Sequence, residues 1–290
     1  MADALIWERD PPELRSPVLV ACFSGWNDAA SSASSALSVA AASAETEVIA
    51  RIDPEEFFDF QTARPTVRVI DGDVQGLEWP TNTIVSARVD GAPRDLLLLS
   101  GTEPGGRWRT FTTTVVEVAE RCGAEMVITF GSLIADVAHT RPVPVTGVGS
   151  SAEMIAELGF ADVAYEGPTG ITGVLHAACK QNDIPAAGLW AAVPHYAAAV
   201  PNPKASLALL RRLEALVGVS FDAAELETAS VAFERQVSAA VEANPEIKEL
   251  VERLEGQQDD VADAEAPPEV PSGDAIARDF QKFLRQQPDQ

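Results

Sequence analysis

Apolar and polar positions alternate along this chain in blocks that switch repeatedly between strand and helix character. Val18 to Phe23 is a continuous apolar run after Pro17 and predicts an interior strand of a sheet covered on both faces. It turns through Ser24-Gly25-Trp26-Asn27-Asp28 into an Ala/Ser-rich helix, with Asn27 or Asp28 placed as the N-cap. Glu47 to Ile52 predicts a second strand. Val67 to Ile70, Thr83 to Val89 and Asp95 to Leu99 read as further strands, the first two as a partly exposed hairpin. After Leu99 the stretch FTTTVVEVAERCG has helical spacing, with Phe111, Val115, Val118, Ala119 and Cys122 on one side and Gly123 as the stop.

Met126 to Phe130 is a short, β-branched and aromatic run ended by Gly131-Ser132, which predicts a central strand. A long polar loop follows, and Pro142 and Pro144 exclude a continuous helix there. Val143 to Thr146 then reads as a strand, and Ser150 or Ser151 caps a helix through Leu158. Val163 to Tyr165 is a short strand, Ile171 to Gln181 a helix, Ala187 to Val193 a strand, and Lys204 to Val217 a helix. This alternation specifies an α/β domain over residues 1–220 with a largely parallel sheet. Residues 221–255 form a helical arm, packed on the domain or on another subunit. Residues 256–273 are acidic and poor in bulky apolar side chains, which predicts a disordered linker. Residues 274–290 hold a short amphipathic helix, with Ile276, Phe280, Phe283 and Leu284 on one face, for docking in cis or on a partner.

Composition narrows the function classes. With 290 residues, 46% of them hydrophobic, the chain buries a full core, and its net charge of -23 repels nucleic acid and anionic membrane surfaces. The start carries no basic-then-apolar signal pattern and no run is long enough to span a bilayer, so a soluble cytoplasmic protein is expected. Cys22, Cys122 and Cys179 are far apart and lack CxxC spacing, so buried free thiols are expected and no metal site is assigned.

In an open parallel sheet, ligands bind beyond the carboxyl ends of the strands. The unusual loops all follow predicted strands. If those strands are parallel, Trp26, Asn27, Asp28, Glu103, Arg107, Trp108, His139, Arg141, Glu166 and His195 converge on one rim. There the arginines would hold an anion and Glu103, Glu166 or His139 would act as acid or base on a small anionic or nucleoside-like ligand. Each also has a plain structural reading: Asn27-Asp28 as a helix cap, His139 and Arg141 as ties for their loop, Trp26 as a plug or a partner contact. The chain has no G-x-S-x-G elbow, no Walker loop and no zinc-type histidine spacing, and no cofactor is assigned. Gly147-Val148-Gly149-Ser150-Ser151-Ala152 formally fits a dinucleotide fingerprint with Val143 to Thr146 as its strand.

Taken together, FSGWNDA at Phe23 to Ala29, EPGGRWRTF at Glu103 to Phe111, ADVAHTRPVPVTG at Ala135 to Gly147, YEGPTG at Tyr165 to Gly170 and LWAAVPHYAAAVPNPKA at Leu189 to Ala205 resemble the bacterial branch of the proteasome assembly chaperone family, chaperone-two type. The resemblance spans about residues 1–255. It implies a three-layer α/β/α domain similar to nucleoside phosphorylases and hydrolases, assembly into homo-oligomers and proteasome-related partners. Family members that dock on proteasome rings use a hydrophobic-Tyr-X carboxyl terminus, whereas this sequence reads Gln287-Pro288-Asp289-Gln290. The resemblance therefore points to a non-enzymatic, homo-oligomeric assembly-chaperone-like or scaffold protein. The alternative is an enzyme or small-molecule binder at the rim.

Overall fold

A computed structural model describes residues 4–157, 159, 160 and 165–265. Its strands are β1 (Leu5–Trp7), β2 (Val18–Ser24), β3 (Glu45–Ile52), β4 (Thr66–Ile70), β5 (Asp73–Glu78), β6 (Asn82–Arg88), β7 (Leu96–Thr102), β8 (Met126–Ala135), β9 (Val145–Gly149) and β10 (Ala186–Pro194). Its helices are α1 (Ser32–Ala42), α2 (Trp108–Arg121), α3 (Ala152–Glu157), α4 (Ile171–Gln181), α5 (Pro203–Val217), α6 (Ala224–Glu242) and α7 (Pro245–Glu265).

Eight strands form one mixed sheet in the order β1-β3-β6-β7-β2-β8-β10-β9. The central four, β7, β2, β8 and β10, are parallel, and the pairs outside them are antiparallel. The central strands are apolar on both faces because helices cover both. On one side Val18, Val20, Cys22, Leu96, Leu98, Ile128 and Phe130 pack under α1, α5 and the start of α6. On the other Leu19, Ala21, Phe23, Leu97, Leu99 and Val127 pack under α2 and α4. In α1 the residues against the sheet are Ala33, Ala36, Leu37 and Ala40, and such small side chains let the helix approach closely. The result is the three-layer α/β/α sandwich.

Several local expectations are corrected. The exposed hairpin is β4 with β5, not β4 with the strand beginning near Thr83. That latter strand, β6, sits inside the main sheet between β3 and β7. The segment DVQGLE of β5 has no apolar alternation of its own and is extended because β4 supplies its hydrogen-bond partners. β8 does not stop at Gly131 but runs to Ala135. Gly131 is required inside the strand because the indole of Trp190 on β10 lies across it, 2.6 Å from where a Cβ would stand. The formal dinucleotide fingerprint is overturned: β9 is an antiparallel edge strand, and the space at Gly147 is filled by the Phe160 ring.

The helical arm packs on its own domain. Val241, Val251 and Leu254 close over Ala138, with Tyr196, Val237, Ile247 and Leu250 around them. The second arm helix was expected to end at Leu254, with the linker beginning at Gly256, but α7 continues to Glu265. The rest of the expected linker, the strand at Val163 to Tyr165 apart from Tyr165, and the terminal helix lie outside the described residues. No helix among the described residues is long and apolar enough to cross a membrane.

Candidate functional site

Because β2, β7, β8 and β10 are parallel, the loops that follow them leave the same edge of the sheet. The residues singled out in those loops separate there into distinct networks.

The first network is centred on Glu103. Asn27, fully buried, donates its Nδ2 to Glu103 Oε1 at 2.8 Å, and the backbone N–H of Ile171 donates to the same oxygen at 2.9 Å. Ile171 opens α4, so the carboxylate caps that helix and lies against the positive end of its dipole. Gly170 is held so close to Asn27 that a Cβ would come within 2.5 Å of Oδ1, which excludes any larger residue. The Asn27 carbonyl accepts from Ser132 N–H at 2.8 Å, tying the β2 loop to β8. Asp28 is the helix cap: its Oδ1 accepts from Ala33 N–H at 2.8 Å and Ser34 N–H at 3.3 Å at the start of α1.

The second network belongs to the β8–β9 loop. His139 is buried, with Nδ1 2.8 Å from the Tyr196 hydroxyl and Nε2 2.9 Å from Ser238 Oγ on α6. Tyr196 Oη also accepts the His139 backbone N–H at 2.8 Å. Burial pushes the imidazole below its ordinary pKa, with Lys204 adding to that fall and Glu234 and Glu255 opposing it. Lys204 donates to the His139 carbonyl at 2.5 Å and pairs with Glu234. Arg141 makes a two-pronged ion pair with Asp259 of α7, both bonds 2.7 Å, and lies 3.5 Å from Glu255. Gln258 accepts from Ala138 N–H at 2.6 Å. His139 and Arg141 therefore fasten the arm to the domain.

Of the remaining candidates, only His195 touches one of these networks, its ring edge-on to Tyr196 with centroids 5.5 Å apart. Arg107 pairs with Glu56 and lies over the Phe57 ring at 6.0 Å, while Trp108 donates its indole N–H to the Pro104 carbonyl at 2.6 Å. His195 Nδ1 lies 3.1 Å from Asp136 Oδ1 in an exposed pair, and Glu166 is exposed. Glu103, His139 and the arginines are thus not gathered around one cavity. Each cation already faces a carboxylate, and among the described residues no group of three or more His, Cys, Asp or Glu is placed to hold a metal ion.

The profile described as PAC2 family matches residues 22–241. A solved PAC2 family protein from Streptomyces avermitilis is 44% identical, with a TM-score of 0.76 over 81% of this chain and 99% of its own. The chain belongs to the PAC2 family. A proteasome-assembly chaperone homologue from Mycobacterium tuberculosis is 43% identical, with the same TM-score of 0.76 over 81% of this chain and 99% of that one. An archaeal proteasome activator from Pyrococcus furiosus, 14% identical, shares the fold with a TM-score of 0.66 over 81% of this chain and 97% of its own. No curated protein matches.

Two features of this PAC2 domain escaped the sequence reading. One is the arm's polar face, Glu255, Gln258 and Asp259, whose i, i+3, i+4 spacing on a helix is the signal that would have paired it with Arg141. The other is apolar. Leu133 and Ile134 at the end of β8 are 41% and 59% exposed, beside the Ser132 that bonds Asn27, and they add to Trp26, which the sequence had already singled out and which is 67% exposed rather than plugging a pocket. The rim's free surface is therefore more apolar than its loops suggested.

Proposed function

We propose that this PAC2 protein is a non-enzymatic, homo-oligomeric assembly-chaperone-like or scaffold protein of the cytoplasm that acts on proteasome-related partners. One observation carries the reading. Glu103 is committed to a helix cap, His139 to hydrogen bonds with Tyr196 and Ser238, and Arg107 and Arg141 to ion pairs, while the exposed apolar part of the rim is Trp26, Leu133 and Ile134. Acid/base and anion-binding work needs free, convergent groups, whereas protein contact needs exposed aromatic and aliphatic anchors. The likeness to a proteasome-assembly chaperone homologue supports the partner class.

Affinity capture of the tagged full chain from its own host tests the reading. Proteasome α-subunits co-purify with wild type, and Trp26→Asp or Ile134→Asp reduces their recovery roughly tenfold, the loss expected when an interface anchor is removed. Recovery of proteasome subunits no greater than from an untagged control would sink the proposal.

A further inference from the structure

The β4–β5 ribbon is the part of the molecule that its own domain explains least. Every residue from Thr66 to Trp79 is exposed, and at the ribbon's base Trp79 packs edge-on against Phe60 with centroids 4.7 Å apart. A two-stranded ribbon is marginal in water without a third layer. Its side chains are nevertheless sorted. The register pairs Val67 with Leu77 and Val69 with Val74, and the irregularity between Arg68 and Val69 keeps both pairs in step. Paired residues project to one side, and Val67 and Val69 alternate onto that same side. The result is a stripe of Val67, Val69, Val74 and Leu77, continued by Trp79 two residues beyond Leu77. The opposite side carries the Arg68–Glu78 ion pair.

We propose that this stripe is the contact through which a second copy of the chain is held, an inference that deepens the self-association part of the function proposed above. The stripe itself bears no charge, so two copies of net charge -23 meet there across a neutral surface. A basic partner would instead be met by carboxylates on the contact face, and the stripe presents none. The five side chains are 51%, 54%, 64%, 48% and 41% exposed in the order just given. Covering them removes roughly 400–500 Å² from each of two copies, which brings the contact to about the 1,000 Å² at which specific interfaces begin. The back face carries Ile70 but also Asp73 and the Arg68–Glu78 ion pair, so the continuous apolar stripe lies on one side, each ribbon takes one neighbour, and the charges oppose stacking into filaments.

Sedimentation velocity of the full chain from low to high micromolar tests this. Wild type sediments as an associated species. Val69→Lys and Leu77→Lys sediment as monomers that still unfold cooperatively on heating, because both positions are exposed in the single chain, and Ile134→Lys on the rim stays associated. Amide exchange across residues 66–78 of wild type slows as concentration rises, a readout that needs no variant. Wild type that is monomeric throughout, lysine variants that stay associated, exchange at 66–78 that ignores concentration, or association lost only in Ile134→Lys would each overturn the assignment. Capture of proteasome subunits is scored separately, so a failed ribbon and a failed partner class give different results.

Discussion

At the scale of single residues, the rim is ordered by groups that would be read as chemistry in another setting. Glu103 satisfies a buried amide and a helix N-terminus with one oxygen. Replacing it with alanine strips both donors of their acceptor, so Glu103→Ala is expected to cost about 2 kcal/mol. For a domain of this size that corresponds to a Tm lower by about 4–8 °C in thermal unfolding, with Glu103→Gln recovering most of it. His176 on α4 offers a second test. Its ring packs against Gly188, Nε2 lies 2.9 Å from Thr129 Oγ1, and burial, opposed by a hydrogen bond to Ala187, pushes its pKa from 6.5 down to about 4. The unfolded chain takes up this proton first as pH falls. The stabilisation from keeping His176 neutral is whole above about pH 6.5 and is lost progressively towards pH 4. The stability advantage of wild type over His176→Gln is expected to shrink by roughly 3 kcal/mol across that window in denaturant titrations. An advantage independent of pH would contradict the burial of a neutral ring. Burial also pushes the Cys122 and Cys179 thiols up to about 11, which leaves them protonated and unreactive at neutral pH.

At the scale of elements, the arm and the β8–β9 loop form one unit. The loop has two prolines and few partners of its own, and α6 and α7 supply what it lacks: Ser238 for His139, Asp259 for Arg141 and Gln258 for Ala138 N–H. Arg141→Ala is expected to leave the main sheet untouched while amide exchange quickens in α7 beyond Leu254. Asp259→Ala should do the same, and the double variant should be no worse than either. Uniform exchange in all three proteins would show that the apolar contacts of Val251 and Leu254 hold the arm unaided. This coupling also explains why the end of α7 was not legible locally. Residues 256–265 read as acidic and poor in bulky apolar groups, yet they stay helical where Gln258 and Asp259 meet Ala138 and Arg141 of a loop more than a hundred positions away in sequence.

At the scale of the whole molecule, net charge and apolar surface act against each other. Copies of charge -23 repel at long range and attract only through uncharged patches. Raising sodium chloride from low to physiological strength is therefore expected to strengthen self-association of wild type, because repulsion is screened while apolar contact is not. Sedimentation equilibrium measures it, and dissociation on adding salt would mean that ion pairs carry the contact.

The sequence by itself determined the α/β alternation, because unbroken apolar runs such as Val18 to Phe23 and Leu96 to Leu99 have only one stable place, between two helical layers. It also determined the family, through ordered blocks that the PAC2 match spans. The tertiary structure alone decided which residues meet. Glu103 belongs with Asn27 and Ile171 rather than with His139, since the order β7-β2-β8-β10 places their loops on one edge but the arm draws His139 and Arg141 aside. It decided the ribbon too, for β5 is a strand only by virtue of its pairing with β4. Local pattern encodes burial, whereas partners distant along the chain are chosen by packing and hydrogen-bond satisfaction, which no single segment carries.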